Sequence, residues 1–504
     1  MLDVGALQQE NAKLRAQLAQ LLTSNAELAQ IIARLNERVG ELLAVAQRKQ
    51  RRPPAPRPAE LPPSVEGDAK LAFESRPRPP ELPPKAKAQK PRPPPTGRKP
   101  LPKHLPVEEH ALRPDTCARC GSAVLDAADE VLEEKLHVVK EHQRRRVVKR
   151  TTCRCRDCGE RTTPRSLPAP YERSKVTCDW LAWLVTEKFS MLTPLDRLRR
   201  ALKERGIPMA MGSLVAFIER AADLLAPIDG LHWQRLLASP WMATDGTGLK
   251  VLVPGLPAAH NGYIELYRNR ECAVFQYQAD KAGEALVSKL KRFRGTLTAD
   301  AEHRLNAVYA NGVIEAGCNA HGRRKLRDAE ETQPTLAAEG GAFVAAMYVE
   351  EERAQNLGLA GEALVEHRRR FIRPLSDQLE RWCDAVSPTL LPSELLMAAV
   401  GYYQRHKKAL FRFIDDANVP IDNSPTEREF QNVAKLRLNM LFAGSTEGAH
   451  RACVLLGIIA TCRAVGVPAQ AYLTWAFERL GTHRDIFDLP LEAMTPAAFK
   501  LTLT

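Results

Sequence analysis

The chain is 504 residues long, which at roughly one domain per 150 residues predicts about three domains. This length excludes a short peptide, a disulfide-rich mini-protein and a single small module. Hydrophobic residues make up 44% of the sequence, as in globular proteins, but 37 prolines and a formal net charge of +13 are unusual. The sequence therefore predicts that part of the chain is not globular and that its partner is acidic.

The chain carries no pattern typical of a membrane span or a signal peptide. No window of about 18 uncharged apolar residues occurs, and no basic stretch at the N-terminus leads into an apolar run. We therefore expect a cytoplasmic protein with no membrane partner. In a reducing compartment, the 11 cysteines are expected to be metal ligands or buried thiols rather than disulfides.

Residues 1–46 carry a seven-residue hydrophobic repeat. One heptad position is leucine six times in succession, at Leu7, Leu14, Leu21, Leu28, Leu35 and Leu42. Leucine at this position, with Asn11 and Asn25 on the alternate seam, is typical of a parallel two-stranded coiled coil. The alternative is a single amphipathic helix on a globular core, but the narrow seam favours a homodimerisation zipper.

Residues 47–106 are rich in proline and in basic side chains. Between Arg48 and Lys103 there are 15 Lys or Arg residues and 5 Asp or Glu residues. This composition cannot bury enough apolar surface to offset the entropy of ordering, so it predicts a disordered, extended linker. The linker can space the zipper from the rest of the chain, attract nucleic-acid phosphates, or do both.

Residues 107–170 contain a cluster of five cysteines. Cys117 and Cys120 form one Cys-x-x-Cys-Gly knuckle, and Cys155 and Cys158 form a second one. Four thiolates at this spacing predict a zinc-binding module with one tetrahedral structural Zn²⁺. Cys153 is the rival of Cys155, because a change of register would exchange the two.

Basic side chains recur in the next two segments. Arg144, Arg145 and Arg146 lie between the knuckles, in a segment that suits an exposed hairpin against either a DNA backbone or solvent. Residues 171–237 are predicted to be helical, and a Gly206-Ile-Pro break preceded by basic residues would suit a helix-turn-helix. The alternative is an ordinary helical bundle with a basic face. We assign 171–237 as a helical DNA-binding region.

Residues 238–328 change to a strand-rich pattern. The predicted elements are, in order, a strand around Asp245, strands at 263–267 and 273–278, a helix at 283–293, a strand ending at Asp300, and a strand from Val313 into a basic helix. This order, with an aspartate on the first and fourth strands, is expected of a ribonuclease-H-like core.

Five motifs together resemble the insertion-sequence-66 family of bacterial transposases. They are the zinc knuckles, Asp-Gly-Thr-Gly at Asp245, Leu-Thr-Ala-Asp at Asp300, Cys-Asn-Ala-His-Gly-Arg-Arg-Lys at Cys318–Lys325, and Ile421–Phe430 followed by Asn439–Ser445. The resemblance covers most of the chain from about residue 100 onward. It implies a DDE transposase whose third acidic residue follows a mostly helical insertion. That residue is Glu427, within the family's Asn-Asn-x-x-Glu-Arg motif, where Ser424 replaces the second asparagine.

The resemblance implies in-line displacement at DNA phosphorus with two Mg²⁺ ions per active site. Hard oxygen ligands are required, so Asp and Glu serve where Cys would not. Asp245 would bridge both ions, and Asp300 and Glu427 would each complete one side. Water would open one strand, and the freed 3′ hydroxyl would attack target DNA. A single aspartate at a strand end is usually a cap, so the assignment depends on the motifs together.

Five basic residues near these acids are candidate DNA contacts. For Arg323, Arg324 and Lys325, phosphate contact is favoured over a solvated helix face. For Lys435 and Arg437, DNA contact and ordinary surface charge both stay open.

Cys318 and His321 are the remaining candidate metal ligands. Two ligands do not complete a metal site, so a packed cysteine and a hydrogen-bonded histidine near Asp300 are favoured.

The sequence as a whole predicts an α+β multidomain protein. Its parts are an N-terminal coiled coil at 1–46, a disordered linker at 47–106, a zinc-binding module at 107–170, a helical region at 171–237, a ribonuclease-H-like catalytic core at 238–328, an α-helical insertion at 329–417, the catalytic-Glu helix and the rest of the core at 418–468, and a C-terminal helical cap at 469–504. The predicted function is DNA transposition in the nucleoid, on double-stranded terminal repeats and target DNA. The alternative is a zinc-containing DNA-binding repressor with an inert core, and accessory proteins from the same element stay open as partners.

Overall fold

The computed structural model describes residues 67–82, 143, 146, 153–154, 161–162, 167–256, 258–440, 443–481 and 490–503. The predicted coiled coil at 1–46 lies outside these residues. So do the four predicted zinc ligands, Cys117, Cys120, Cys155 and Cys158, together with Arg144 and Arg145. The statements about them stay predictions.

The described residues form an α+β fold in two compact units. The insertion unit holds the described part of Met1–Pro79 together with Cys318–Ala417. The sheet unit holds the described parts of Pro80–Gly317 and Asn418–Thr504.

One helix of the insertion unit lies inside the segment predicted to be a disordered linker. This helix, α1 (Gly67–Glu74), buries Phe73, which is 6% exposed. Just beyond the helix, Arg76 donates to both carboxylate oxygens of Glu339, at 2.9 and 3.0 Å. The linker prediction is therefore wrong for this segment, because specific contacts of Phe73 and Arg76 offset the entropy of ordering it.

Two short strands and three helices precede the main sheet. They are β1 (Cys153–Arg154), β2 (Arg161–Thr162), α2 (Cys178–Phe189), α3 (Leu195–Glu204) and α4 (Met211–Ala238). The break predicted at Gly206 separates α3 from α4, and its φ of 78° is a left-handed conformation that glycine adopts without strain. Apolar side chains of α2 and α4 share one core cluster with the sheet, so 171–237 packs as part of the sheet unit.

The sheet unit is built on a five-stranded mixed sheet. Its strands are β3 (Trp241–Val251), β4 (His260–Arg268), β5 (Ala273–Gln278), β6 (Thr296–Thr298) and β7 (Ile314–Ala316). They lie in the order β5-β4-β3-β6-β7. The first three strands form an antiparallel meander, and β6 and β7 join parallel to β3. Helix α5 (Gly283–Lys289) falls within the helix predicted at 283–293, and α6 (Asn306–Ala310) lies between β6 and β7.

Helices cover both faces of this sheet. One face packs against α5 and α6 through a cluster that includes Met242, Leu286 and Val308. The opposite face packs against three helices that follow the insertion: α12 (Ser424–Met440), α13 (Thr446–Val465) and α14 (Ala469–Leu480). A last short helix, α15 (Pro496–Leu501), buries Phe499 in the same cluster. The predicted C-terminal cap is thus continuous with the core.

Helix α13 is long and apolar enough to cross a membrane by length and composition alone. In the described chain it is a core helix, because it packs along β5. The hydroxyl of Thr461 accepts a hydrogen bond from the backbone N–H of Ala273 at 3.0 Å. Ser445 caps its first turn by accepting from the N–H of Gly448 at 2.9 Å.

The rest of the insertion unit is entirely helical within the described residues. Its elements are α7 (Asn319–Ala329), α8 (Pro334–Asn356), α9 (Gly361–His367), a π-helical turn at Arg368–Ile372, α10 (Arg373–Val386) and α11 (Leu395–Leu410). Helix α7 was predicted within the core segment 238–328, but it packs in the insertion unit. There the amide of Asn319 donates to the carbonyl of Leu410 at 2.8 Å, and Gly322 leaves room for the ring of Tyr403. The boundary therefore lies at Cys318 rather than at residue 329.

The two glycines beside Asp245 allow a matched stability test. A Cβ atom at Gly246 would lie 2.3 Å from the ring of Tyr263, whereas a Cβ at Gly248 would lie 3.9 Å from its nearest neighbour. Because the crowded site must shift, we expect Gly246→Ala to lower the free energy of unfolding by about 1–3 kcal/mol. Gly248→Ala should change it by less than about 1 kcal/mol. Urea denaturation of both variants measures the difference, and equal stabilities would contradict this packing.

Candidate active site

Asp300 lies just beyond the strand that pairs with the strand of Asp245. Ala243 of β3 pairs with Thr298, the last residue of β6. Asp245 lies two residues further along β3, and Asp300 lies two residues beyond the end of β6. Neighbouring strands are about 4.8 Å apart. The parallel pairing of β3 with β6 therefore leads the chain to Asp245 and Asp300 at the same end of the two strands.

Hydrogen bonds fix the orientation of this pair. The indole Nε1 of Trp241 donates to Oγ1 of Thr298 at 2.8 Å. The carboxylate of Asp245 accepts from the N–H of Gly246 at 2.7 Å, and that of Asp300 accepts from the N–H of Ala301 at 2.8 Å. Asp245 is partly buried and Asp300 is exposed. Each carboxylate is thus oriented by the backbone amide that follows it.

Glu427 lies in the first turn of α12, and this turn is attached to β3 beside Asp245. The side-chain amide of Asn423 donates to the backbone carbonyl of Thr244 at 3.0 Å. The carbonyl of Asn423 accepts from the N–H of Glu427 at 3.2 Å. Two hydrogen bonds therefore connect the backbone of Glu427 to the residue that precedes Asp245.

Further contacts hold α12 on the sheet. The guanidinium of Arg268, whose pKa is lowered by burial, donates to the carbonyl of Pro425 at 3.0 Å. Nearly three turns beyond Glu427, Arg437 donates to Oγ1 of Thr247 at 2.8 Å and to the carbonyl of Gly248 at 2.7 Å. Phe430 packs edge-on against Phe275, with ring centroids 5.9 Å apart. Both ends of α12 are therefore anchored to the sheet that carries Asp245.

A second glutamate of α12 has a different environment. The carboxylate of Glu429 pairs with Arg463 of α13, with Nε of the arginine 3.3 Å from Oε1. This ion pair neutralises Glu429 and makes it a structural residue. Glu427 is thus the acidic residue of this turn that is suited to a metal site.

Glu265 is the buried acidic residue of the sheet, and it lies on the opposite face from Asp245. It is opposite Gly246 in the register and only 2% exposed. Its carboxylate accepts from the hydroxyl of Tyr267 at 2.8 Å, from Gln278 at 2.9 Å and from Lys289 at 2.6 Å. Burial and the Glu265 charge raise the pKa of Tyr267, which keeps its hydroxyl protonated as a donor. The charge of Glu265 is compensated within the fold.

Arg304 connects this buried cluster to the segment that follows Asp300. Its guanidinium donates to both carboxylate oxygens of Glu302, at 2.7 and 3.0 Å, and approaches Glu265 at 3.5 Å. Hydrogen bonding to Glu302 raises the pKa of Arg304 against the opposing effect of burial. Arg304 therefore positions the turn after Asp300 from the far side of the sheet.

Asn423 and Arg304 are positioning residues that the sequence analysis did not identify. Asn423 is the first asparagine of the family motif, so a signal was present, but its partner is a backbone carbonyl that no side-chain pattern reveals. Arg304 has no sequence signal, because its role depends on Glu265, which is 39 residues away along the chain.

The predicted DNA contacts in the described residues differ in their surroundings. Arg146 and Lys435 are exposed, whereas Arg437 is bound to β3. The other three candidates lie on α7 in the insertion unit and are also exposed. They are Arg323, Arg324 and Lys325. Two of them stack on aromatic rings: Arg323 lies 5.3 Å from the ring of Tyr348, and Lys325 lies 5.4 Å from that of Tyr402.

A sequence profile described as Transposase IS66 family matches residues 173–451. The match covers more than half of the chain and includes Asp245, Asp300 and Glu427. The chain belongs to the IS66 transposase family. The three acidic positions of this transposase therefore fall inside the segment that defines the family.

Three proteins of Sinorhizobium fredii (strain NBRC 101917 / NGR234) are similar to this transposase. Uncharacterized protein y4hP is 25% identical over 77% of this chain and 74% of its own length. Uncharacterized protein y4jD is 26% identical over 75% of this chain and 78% of its own length. Uncharacterized protein y4qI is 23% identical over 98% of this chain and 95% of its own. The names of these relatives assign no activity.

The contact between Asn423 and β3 can be tested without an activity assay. We expect Asn423→Ala to lower the free energy of unfolding by about 1–3 kcal/mol, because it leaves the Thr244 carbonyl without this donor. Amide exchange at the start of α12 should become faster. Ser424→Ala is the matched control and should change stability by less than about 0.5 kcal/mol. Identical exchange in both variants would argue against the attachment of α12 to β3.

Proposed function

We propose that this transposase cleaves and joins DNA by two-metal DDE chemistry, with Asp245, Asp300 and Glu427 as the metal ligands. The observation that carries the proposal is the parallel pairing of β3, which holds Asp245, with β6, which ends two residues before Asp300. The attachment of α12 to β3 through Asn423 supports Glu427 as the third ligand.

The donor set of this site fits Mg²⁺. All three side chains are carboxylates, the hard oxygen donors that Mg²⁺ prefers. A pair of bound Mg²⁺ ions would activate the attacking oxygen and stabilise the leaving oxygen at phosphorus. The part of this chain is to hold the carboxylates on or beside one rigid sheet, with Arg304 and Asn423 fixing the segments beside them. Such rigid support keeps catalytic groups in their working geometry.

The sheet topology supports a ribonuclease-H-like core. An antiparallel meander is followed by two parallel strands; Asp245 lies on the central strand, and Asp300 follows the end of its parallel neighbour. A helical insertion separates β7 from α12. This connection is the arrangement that the family resemblance implies for a third acidic residue late in the chain.

We propose that basic side chains bind the phosphates of terminal-repeat and target DNA. The candidates are Arg144, Arg145, Arg146, Arg323, Arg324, Lys325, Lys435 and Arg437. Such contacts set the register of a duplex and make affinity depend on salt. The hydrogen bonds of Arg437 to β3 favour a structural role for it, which leaves Lys435 as the more accessible cation of α12.

We further propose a structural Zn²⁺ held by Cys117, Cys120, Cys155 and Cys158. Cys155 is preferred to Cys153 because Cys155 and Cys158 repeat the Cys-x-x-Cys-Gly spacing of the first knuckle. The zipper at 1–46 would join two copies into a homodimer that acts in the cytoplasm on nucleoid DNA.

Substitution of the three acidic residues tests the chemistry. We expect Asp245→Asn, Asp300→Asn and Glu427→Gln each to reduce Mg²⁺-dependent cleavage and strand transfer by roughly three orders of magnitude, because each removes a metal ligand from the transition state. The substrate is a DNA fragment that carries the ends of the element encoding the chain, and products are resolved on denaturing gels.

Two controls make this experiment specific. Glu429→Gln changes an acidic residue on the same helix that pairs with Arg463, and it should retain activity within about tenfold. DNA binding, measured by fluorescence anisotropy, should be unchanged in all four variants. Full strand transfer by Asp300→Asn would eliminate the metal assignment, and an inactive wild-type chain with intact binding would favour the repressor alternative.

Zinc content tests the knuckle assignment. We expect about one zinc per chain by atomic emission, and loss of this zinc in Cys155→Ala, because three thiolates bind more weakly than four. Cys153→Ala should keep the metal. The opposite result for the two variants would exchange their roles, and less than one zinc in the wild-type chain would contradict the site.

A further inference from the structure

The insertion unit contains a socket formed by Glu339 of α8 and Trp382 of α10. The indole ring of Trp382 is fully buried, and its Nε1 donates to Oε2 of Glu339 at 3.1 Å. Gly340 gives the indole room, since a Cβ atom there would lie 2.7 Å from its ring. The Glu339 carboxylate is therefore held in position at the surface of the helices and can accept further hydrogen bonds.

The linker segment reaches this socket through Arg76. Arg76 donates to both oxygens of Glu339, at 2.9 and 3.0 Å, and Phe73, three residues earlier on α1, is almost completely buried. Helix α1 also contacts α10, which carries Trp382. The side chains of this pair are only 19% and 21% exposed. The guanidinium of Arg76 also stacks on the ring of Phe73, 4.2 Å from its centroid, and donates to the Phe73 carbonyl at 2.9 Å. A bidentate, partly buried pair of this kind is a strong and directional contact.

Helix α1 depends on this docking for its own stability. It has eight residues, which is too short for an isolated helix to be stable in water. Its neighbours in sequence are rich in proline, and Leu71 on the same helix is 66% exposed. Tertiary contact through Phe73 and Arg76 therefore supplies the stabilisation that local propensity lacks.

We propose that Phe73-x-x-Arg76 is a docking motif by which the insertion unit binds the linker of its own chain. Docking divides the predicted linker into residues 47–66 before α1 and residues 77–106 after Arg76. The first part is then the tether between the predicted zipper and the insertion unit. In a homodimer made by the predicted zipper, residues 47–66 would connect the zipper to each insertion unit. Each connection would then be 20 residues long, shorter than the whole predicted linker. This proposal does not depend on the catalytic assignment.

Hydrogen exchange of the full chain tests the docking. We expect the amides of residues 67–76 to be protected in the wild-type chain and in Leu71→Ala, which alters an exposed residue of the same helix. Phe73→Ala and Arg76→Ala should each raise exchange there at least tenfold, while the amides of α8 and α10 keep their protection. Unprotected α1 amides in the wild-type chain, or equal protection in Phe73→Ala and Leu71→Ala, would overturn the proposal.

A charge exchange tests the Arg76–Glu339 contact itself. Arg76→Glu alone should release α1, and the double variant Arg76→Glu, Glu339→Arg should restore at least part of its protection. If the double variant exchanges as fast as Arg76→Glu while α8 and α10 stay protected, the contact does not hold the linker.

Discussion

The candidate active site depends on the attachment of one helix end to one strand. Asp245 lies within β3, and Asp300 follows β6, which pairs with β3 in parallel. Glu427 is remote in sequence, and its position depends on the Asn423 amide at the Thr244 carbonyl, supported by Arg268 at Pro425. A buried hydrogen bond to a backbone carbonyl is directional and costly to leave unmade, so it fixes the helix more narrowly than apolar packing alone would.

The two faces of the sheet separate acidic residues with different roles. Glu265 is buried among Tyr267, Gln278 and Lys289, so its charge is compensated by the fold. Asp245, on the other face, is partly buried, Asp300 beyond the end of β6 is exposed, and both are oriented by the next backbone amide. Successive residues of a strand point to opposite faces of the sheet. Glu265 pairs with Gly246, the residue after Asp245, so the Glu265 and Asp245 side chains lie on opposite faces.

The linker illustrates how a few contacts change the state of a segment. Its composition predicts disorder, because the segment carries little apolar surface. This prediction fails at residues 67–76, where one aromatic ring is buried and one arginine meets a carboxylate already held by Trp382. Composition measures how much apolar surface a segment carries. It does not measure whether another part of the chain offers a complementary site.

The sequence by itself determined the order of the strands in the chain and the family, because periodicity and short motifs are local properties. The tertiary structure decided that α7 packs with the insertion rather than with the core, that Asn423 and Arg304 position the acidic residues, and that Glu429 is an ion-pair partner of Arg463. Each of these depends on a partner distant in the chain. Such pairings arise only when packing brings the two segments together, so no local pattern encodes them.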